Sequence, residues 1–276
     1  MNKDKKTVDG FGDEWSRFDQ SLLSDKEREE LFNLYFDIFP WDKVNTQSIG
    51  FDMGCGSGRW AKLVAPKVKT LYCIDPSEAI EIAKNNLCKN KNCVFLHEEV
   101  SDNSINDSSM DFGYSLGVLH HIPNTAQGIK DCVKKLKVGA PFLLYLYYKF
   151  DNKGIIFKLV WNLSNILRII ISRLPFPMRY LVSQIIALVI YLPLARFSLI
   201  LERLGISMRF IERIPLSFYR NKSFYTMRTD SLDRFGTRLE KRYTQNSIFQ
   251  MMSDAGLENI VFSKTQPYWV AVGYKK

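Results

Sequence analysis

Apolar residues recur along this chain with two different periods, and the alternation between them predicts the layout of the fold. Residues 20–39, QSLLSDKEREELFNLYFDIF, place apolar side chains at helical spacing behind a Ser24 to Glu27 capping box, and Pro40 ends the run. Short apolar runs then alternate with amphipathic segments: strand 49–53, helix about 59–66, strand 70–74, helix 77–88 and strand 93–97. Strand 111–116, helix 125–136 and strand 140–147 continue the series. Strands joined by helices pair in parallel, so the sheet is expected to be buried on both faces.

After Tyr148 the pattern changes to long apolar stretches with regularly placed arginines, broken at Pro175-Phe176-Pro177. These predict two or three helices. From Arg228 onward come a helix-like TQNSIFQMMSDAG and two alternating segments, ENIVFSK and YWVAVGYK, which predict a final antiparallel pair. The expected organisation is an N-terminal lid and helix over 1–48, a nucleoside-binding core over 49–150, an apolar and basic helical cap over 151–227, and completion of the core sheet over 228–276. The longest uncharged stretch of the cap, Tyr180 to Ala195, is 16 residues and contains Ser183, Gln184 and Pro193. A membrane span needs about 20 apolar residues, so the cap is expected not to span.

Gly54, Gly56 and Gly58 fall directly between strand 49–53 and the segment WAKLVAPKV, where the turn must be tight and the backbone must approach a neighbour closely. Asp75 follows 17 residues after Gly58, at the end of the next strand. The turn is not a dinucleotide fingerprint, because Arg59 stands where helix against strand packing needs a small residue, and no Gly-Lys-Ser/Thr marks a P-loop. The D-x-G-x-G-x-G turn with its spaced acid resembles the class I S-adenosylmethionine-dependent methyltransferases. That resemblance implies a Rossmann-like α/β fold with a seven-stranded, mostly parallel sheet and S-adenosyl-L-methionine as cofactor, and the helical pattern after Tyr148 then places an α-helical cap after the fifth strand. It implies that Gly54, Gly56 and Gly58 run beneath the methionine part, and that Asp75, followed by Pro76, accepts hydrogen bonds from both ribose hydroxyls.

Further roles follow from the same resemblance. The acid and small apolar residue that hold the adenine fall on Glu99 and Val100, with Glu98 taking the role if the register shifts by one. Asp52 either tethers the loop amides or faces the methionine amino group. The segment Ser115 to Pro123, SLGVLHHIP, is similar to the family's VLHH(I/L)P stretch, near which the methyl group should sit. Ser115 and His120 thereby become cofactor contacts. His120 and His121, two of the three histidines, become candidate general bases, since imidazole titrates near neutral pH. Ordering of the cofactor loop is their alternative role. Tyr148, at the end of the fifth strand, is a third catalytic candidate, while Arg228, Arg238 and Tyr243 are candidates for binding the acceptor. The arginines either clamp an anionic acceptor or pair with Asp230, Asp233 and Glu240.

Phe11-Gly12-Asp13-Glu14-Trp15-Ser16-Arg17-Phe18 resembles the FGxEWxxF start of a narrower bacterial set of methyltransferases. Ahead of the first helix, this segment either folds over the pocket as a lid, with Trp15 against the cofactor, or staples the helix.

Charge changes the picture in one place. Of the net +9, an excess of eight lies between Asp151 and Ser223, where 11 Lys and Arg face three acids. Basic and apolar together point to an anionic membrane surface or amphiphile, or to wet faces of packed helices. RNA-binding motifs are missing, so nucleic acid is not an expected partner, and an exposed apolar cap is compatible with a homodimer. The five cysteines show no CxxC pair and no signal peptide precedes them, which points to a reduced, cytoplasmic protein, peripheral to the inner membrane face if the cap docks there, with no metal. The expected activity is methyl transfer to an oxygen or nitrogen of a small-molecule, saccharide or lipid-like acceptor. The alternative is a methyltransferase-fold module that mainly binds a membrane or a complex.

Overall fold

Val8, Phe11 and Trp15 recur at helical spacing, and Asp4 caps the run by accepting from the Thr7 amide at 2.8 Å and the Thr7 hydroxyl at 2.7 Å. Helix α1 (Lys5–Arg17) results. The FGDEW segment is thus itself helical, where the sequence predicted a non-helical lead-in; Gly10 and Gly12 weaken the local propensity, and contacts of the apolar face override it. The structure is a computed structural model that describes residues 2–152 and 154–276. Helix α2 (Asp25–Phe36) starts where Ser24 accepts from the Glu27 amide at 3.2 Å. The other half of the capping box is diverted: the Glu27 carboxylate accepts from the Ser223 amide at 3.0 Å and the Thr226 hydroxyl at 2.8 Å.

The alternating region forms β1 (Ile49–Met53), α3 (Ala61–Val64), β2 (Thr70–Ile74), α4 (Ala79–Asn86), β3 (Cys93–Leu96), β4 (Phe112–Leu116), α5 (Thr125–Lys135) and β5 (Pro141–Tyr145). The insertion follows as α6 (Ile155–Ile171), α7 (Phe176–Ile186), α8 (Leu192–Arg203), α9 (Met208–Ile211) and α10 (Phe224–Gly236). The chain ends in α11 (Gln245–Asp254), β6 (Leu257–Phe262) and β7 (Val270–Lys275). The seven strands form one sheet in the order β3-β2-β1-β4-β5-β7-β6. Strands β1 to β5 pair in parallel, and β7 runs antiparallel to both β5 and β6.

The sheet centre is packed by exchange of volume between β1 and β4. Gly50 stands beside Phe112 and Gly113 beside Phe51 in register, and a Cβ on either glycine would fall within about 2.3 Å of the facing ring. Phe51, Met53, Leu119, Ile129, Phe142 and Leu144 belong to the buried cluster beneath the site.

The chain divides into two compact units. One comprises the residues up to Gln20 with Arg28–Asp151 and Leu239–Lys276; the other comprises Ser21–Glu27 and Asn152–Arg238. The insertion unit therefore runs to Arg238, past the boundary the sequence suggested at 227, because α10 packs on α6 and α7. Its core gathers Ile171, Tyr191, Ala195, Met227 and Phe235. Helices α7 and α8 are joined through a π-helical turn, Ala187–Tyr191, just before Pro193, whose ring opposes a normal turn at that point. The resulting Phe176–Arg203 run is 28 residues and is, among the described residues, long and apolar enough to cross a membrane by length and composition.

Candidate active site

The glycine turn after β1 is held by the end of β2. The amides of Gly54 and Cys55 both donate to the Ile74 carbonyl, at 2.8 and 2.9 Å, and the Gly56 amide donates to Asp75 Oδ2 at 2.9 Å. With these amides turned onto the protein, the loop is no anion nest, which removes the phosphate reading on geometric grounds. Gly54 and Gly56 have φ of 80° and 53°, and a Cβ would fall 2.4 Å from Val118 at the first and 3.0 Å from Trp15 Nε1 at the second. Gly58 serves the same turn from behind, packed against Leu87 and Ala83.

Above this turn lies a cavity of about 850 Å3 counting its open mouth. Its floor is Met53, Gly54, Cys55 and Gly56; Asp75, Pro76 and Ser77 close one side, and Val118, His121 and Ile122 another. Thr7, Val8, Phe11 and Trp15 from α1 form a further wall. Helix α1 is pinned there at three points: Asn2 and Asn124 exchange two hydrogen bonds of 2.7 and 2.8 Å, Lys3 pairs with Glu99 at 2.7 Å, and the Leu239 amide donates to Thr7 at 3.3 Å.

Asp75 is buried and engaged on both oxygens, accepting on Oδ1 from the Ser77 amide at 2.9 Å and the Ser77 hydroxyl at 2.6 Å. Burial raises its pKa above the usual carboxylate value, against the lowering effect of Ser77 and the Gly56 amide. Three donors use three of about four acceptor directions of a carboxylate, leaving room on Oδ2 for one more. Burial pushes the Cys55 thiol up to about 11, so this pocket-lining cysteine is a thiol and not a nucleophile at neutral pH.

His121 and His120 are adjacent on a 3-10 turn, Leu119–His121, and point to different environments. His121 lines the cavity, with its ring 5.0 Å from Phe11 in an edge-to-face contact. Its Nδ1 lies 2.7 Å from the Leu239 carbonyl, which can only accept, so Nδ1 carries the proton and Nε2 is the basic nitrogen. His120 is completely buried, its ring centroid 3.9 Å from that of Tyr147 in a tilted contact, and neither ring nitrogen has a hydrogen-bond partner among the described residues. Burial holds its pKa well below the usual imidazole value, with further lowering by His121 and Arg242. His120 therefore lies off the cavity wall, on which His121 stands.

The remaining candidates divide. Trp15, Gly54, Gly56, Asp75, Pro76 and Val100 line the cavity, whereas Glu99 does not; Glu98 takes that place, and Glu99 is turned to Lys3. Neighbours on an extended segment face opposite sides, so the register shift of one exchanges the two glutamates. Ser115 is buried and donates to the Met53 carbonyl at 2.9 Å, tying β4 to β1 instead of contacting a ligand. Asp52 lies beneath the turn, off the cavity wall; burial raises its pKa well above the usual value, the Tyr114 hydroxyl partly offsets this, and no hydrogen bond of normal geometry joins the pair.

Tyr148 bridges to Tyr243, and burial raises the pKa of its phenol. Tyr243 donates to Thr125 at 2.8 Å, so both tyrosines brace β5 and α5 away from the cavity wall. Arg228 and Arg238 belong to the insertion unit, where Arg228 donates to Gln184 at 2.6 Å and Tyr180 at 3.1 Å, and Arg238 to the Arg173 carbonyl at 3.4 Å. Thr7, Val8, Arg59 and Ser77 are lining residues that sequence reasoning passed over. The three-four spacing of Val8, Phe11 and Trp15 was the signal for Val8.

The cradle fits the cofactor that the glycine turn implies. Side chains at Gly54 and Gly56 would fill the floor, Asp75 keeps an acceptor direction toward a hydroxyl, and the walls are mostly apolar. Trp15 and Val100 offer flat and small apolar surfaces for a ring.

Comparison with known proteins agrees with this geometry. Residues 51–144 match the family model described as "Methyltransferase domain". A curated mouse (Mus musculus) relative, "Probable tRNA methyltransferase 9B", is 30% identical over 103 residues, which is 36% of this chain and 22% of the relative. The chain thus spans about a fifth of that protein's length. A methyltransferase candidate solved in complex with the Haloferax volcanii Trm112 methyltransferase activator superposes with a TM-score of 0.51 at 13% identity, covering 96% of this chain and 97% of that one. An exported-protein candidate from Bordetella parapertussis gives 0.51 at 11% identity over 92% of this chain and 68% of its own. With its sheet order, its glycine turn and these likenesses, the chain has the fold of the class I S-adenosylmethionine-dependent methyltransferases.

Proposed function

We propose that this chain transfers the methyl group of S-adenosyl-L-methionine to an oxygen or nitrogen of a small-molecule, saccharide or lipid-like acceptor. The observation that carries the reading is one cavity lined at once by the Gly54–Gly56 turn, Asp75, Trp15 and His121. The likeness of Phe11–Phe18 to the FGxEW methyltransferases belongs to the same reading.

The cofactor, when bound, supplies a methyl carbon activated by a positive sulfur. What the protein contributes is alignment, exclusion of water and a place for a proton. Alignment is worth roughly 7 to 11 kcal/mol, against roughly 3 to 5 for a general base. The pinned α1 wall, with Phe11 and Trp15, keeps water from one side of the cavity. His121 Nε2 is the basic nitrogen of the one histidine on the wall, and Leu239 fixes its ring by holding Nδ1. An acceptor hydroxyl or protonated amine reaching it would give up its proton there.

Calorimetric titration of S-adenosylmethionine and S-adenosylhomocysteine, with Asp75→Ala beside the wild type, tests the reading. Saturable binding that the substitution abolishes supports it, and screening of glycan, quinone and lipid acceptors with a labelled methyl donor follows. A folded wild type that binds neither ligand refutes it. A tRNA acceptor, the substrate named for the mouse relative, would instead reveal itself as salt-dependent tRNA binding and label transfer to tRNA.

A further inference from the structure

Helix α6 buries its polar side and exposes its apolar one. Ile155, Leu159, Leu163, Ile166 and Ile170 are each more than half exposed, and their spacing of three or four residues makes one stripe along the 17-residue helix. On the opposite side, buried Arg168 donates to the Thr237 carbonyl at 2.9 Å and to Asn165 at 2.8 Å. The Phe176–Arg203 run repeats the inversion. Leu181, Ile185, Leu188 and Ile200 are exposed, while Ser183, Ala187, Tyr191, Ala195 and Ser198 are buried at intervals of three or four. The Ser231 hydroxyl donates to the Ser183 carbonyl at 2.8 Å, and the Ser198 hydroxyl to Leu194 at 2.9 Å.

Small and hydrogen-bonded residues inside, aliphatic residues outside, is how helices pack when acyl chains are their solvent. In water the same arrangement leaves a large apolar area unsatisfied. A second feature says which occupant suits it. Exposed Arg203 ends the apolar run and exposed Arg209 and Arg213 follow it, interleaved with exposed Leu204, Ile206 and Phe210, and exposed Arg173 follows α6. Guanidinium groups at the ends of apolar helices complement the phosphates of an anionic leaflet. The stripe on α6 is wholly aliphatic, whereas the centres of protein interfaces are enriched in Tyr, Trp and Arg. At about 1.5 Å per residue the 28-residue run measures about 42 Å, enough to enter or cross a hydrocarbon layer of about 30 Å.

We propose that the helical insertion is a membrane-docking surface: the aliphatic stripes of α6 and of Phe176–Arg203 enter the acyl region of an anionic bilayer, and Arg173, Arg203, Arg209 and Arg213 hold its headgroup phosphates. The proposal is independent of what the cavity binds.

Flotation of the purified full-length chain with vesicles of phosphatidylcholine alone, or of phosphatidylcholine with phosphatidylglycerol, tests it. The wild type rises with the anionic vesicles, less as salt increases. Leu163→Glu with Ile166→Glu, and separately Leu181→Glu with Ile185→Glu, abolish flotation at positions exposed enough to leave the circular dichroism unchanged. Reversing Arg203, Arg209 or Arg213 to Glu lowers partitioning by roughly fivefold each. A wild type that stays at the bottom with anionic vesicles overturns the proposal, as does flotation undiminished in the glutamate variants. Equal flotation with neutral vesicles overturns the role of the arginines. A concentration-dependent dimer in lipid-free solution that the same glutamates dissolve would assign the stripes to a second copy of this chain.

Discussion

The Gly56 amide donates to Asp75 Oδ2 at 2.9 Å, so the turn after β1 and the end of β2 hold each other in place. The carboxylate is therefore both a candidate ligand group and a strut of the cradle. Asp75→Asn keeps the volume but cannot accept on both arms, and hydrogen bonds to a charged group are worth about 1.5 to 3 kcal/mol, so cofactor affinity should fall about 10-fold to 100-fold. Ser77→Ala removes one of the donors on Oδ1 and leaves Oδ2 in place, and should change affinity only a few-fold. Titration calorimetry on the two variants checks the ordering; equal losses would show that Asp75 acts through the turn alone.

Gly54→Ala combines a left-handed backbone with a Cβ 2.4 Å from Val118. Left-handed conformation alone costs a non-glycine residue about 1 to 2 kcal/mol, and Val118 must also move. The expected result is a lower Tm and loss of ligand binding together. A further change, Val118→Ala, should restore part of the Tm by making room, which differential scanning fluorimetry would show.

His120 gives the fold a pH dependence of known sign. Its native pKa lies below the unfolded value near 6.5, so below that pH the unfolded chain binds more protons at this site. Its contribution is fully present above about pH 6.5 and is lost as pH falls toward the native pKa, at up to about 1.4 kcal/mol per pH unit. Replacing His120 with Phe, which keeps an aromatic ring against Tyr147, should flatten the stability profile between about pH 6.5 and 5. Denaturant melts across that range, wild type against variant, measure it.

Asp52 works in the opposite direction. Burial raises its native pKa above the unfolded 3.8, so its favourable contribution is present at low pH and is lost as pH rises through the native value. Asp52→Asn removes the cost of an ionised or reluctantly protonated carboxyl in the core. It should raise Tm at pH 7, by roughly 2 to 4 °C for each kcal/mol regained. An unchanged or lower Tm would mean that Asp52 is stabilised by loop amides more strongly than its unpartnered Oδ2 suggests.

Strands 49–53 and 70–74 were legible to the residue because buried parallel strands write continuous apolar runs bounded by turns, and the glycine turn announced the binding edge between them. Helix α1 was not, since Gly10 and Gly12 lower its propensity and its existence depends on packing Val8, Phe11 and Trp15 against the cavity. The end of the insertion at Arg238 was hidden for a similar reason: the pattern of α10 shows that it has an inner face, and not which helices that face meets.

At the level of single side chains the division is sharper. The alternation of strands and helices from β1 to β5, the tight glycine turn at Gly54–Gly58, the acid at Asp75 and the basic, apolar character of the insertion were legible in the chain alone, because each is written in local spacing or composition. Only the tertiary structure decided between neighbours. On a 3-10 turn successive residues are about 120° apart, so His121 faces the cavity while His120 is sealed against Tyr147. On the extended chain after β3 they are opposed, so Glu98 faces the cavity and Glu99 meets Lys3. Adjacent like residues have the same sequence signal, and what separates them is the direction of one Cα–Cβ bond, which long-range packing sets.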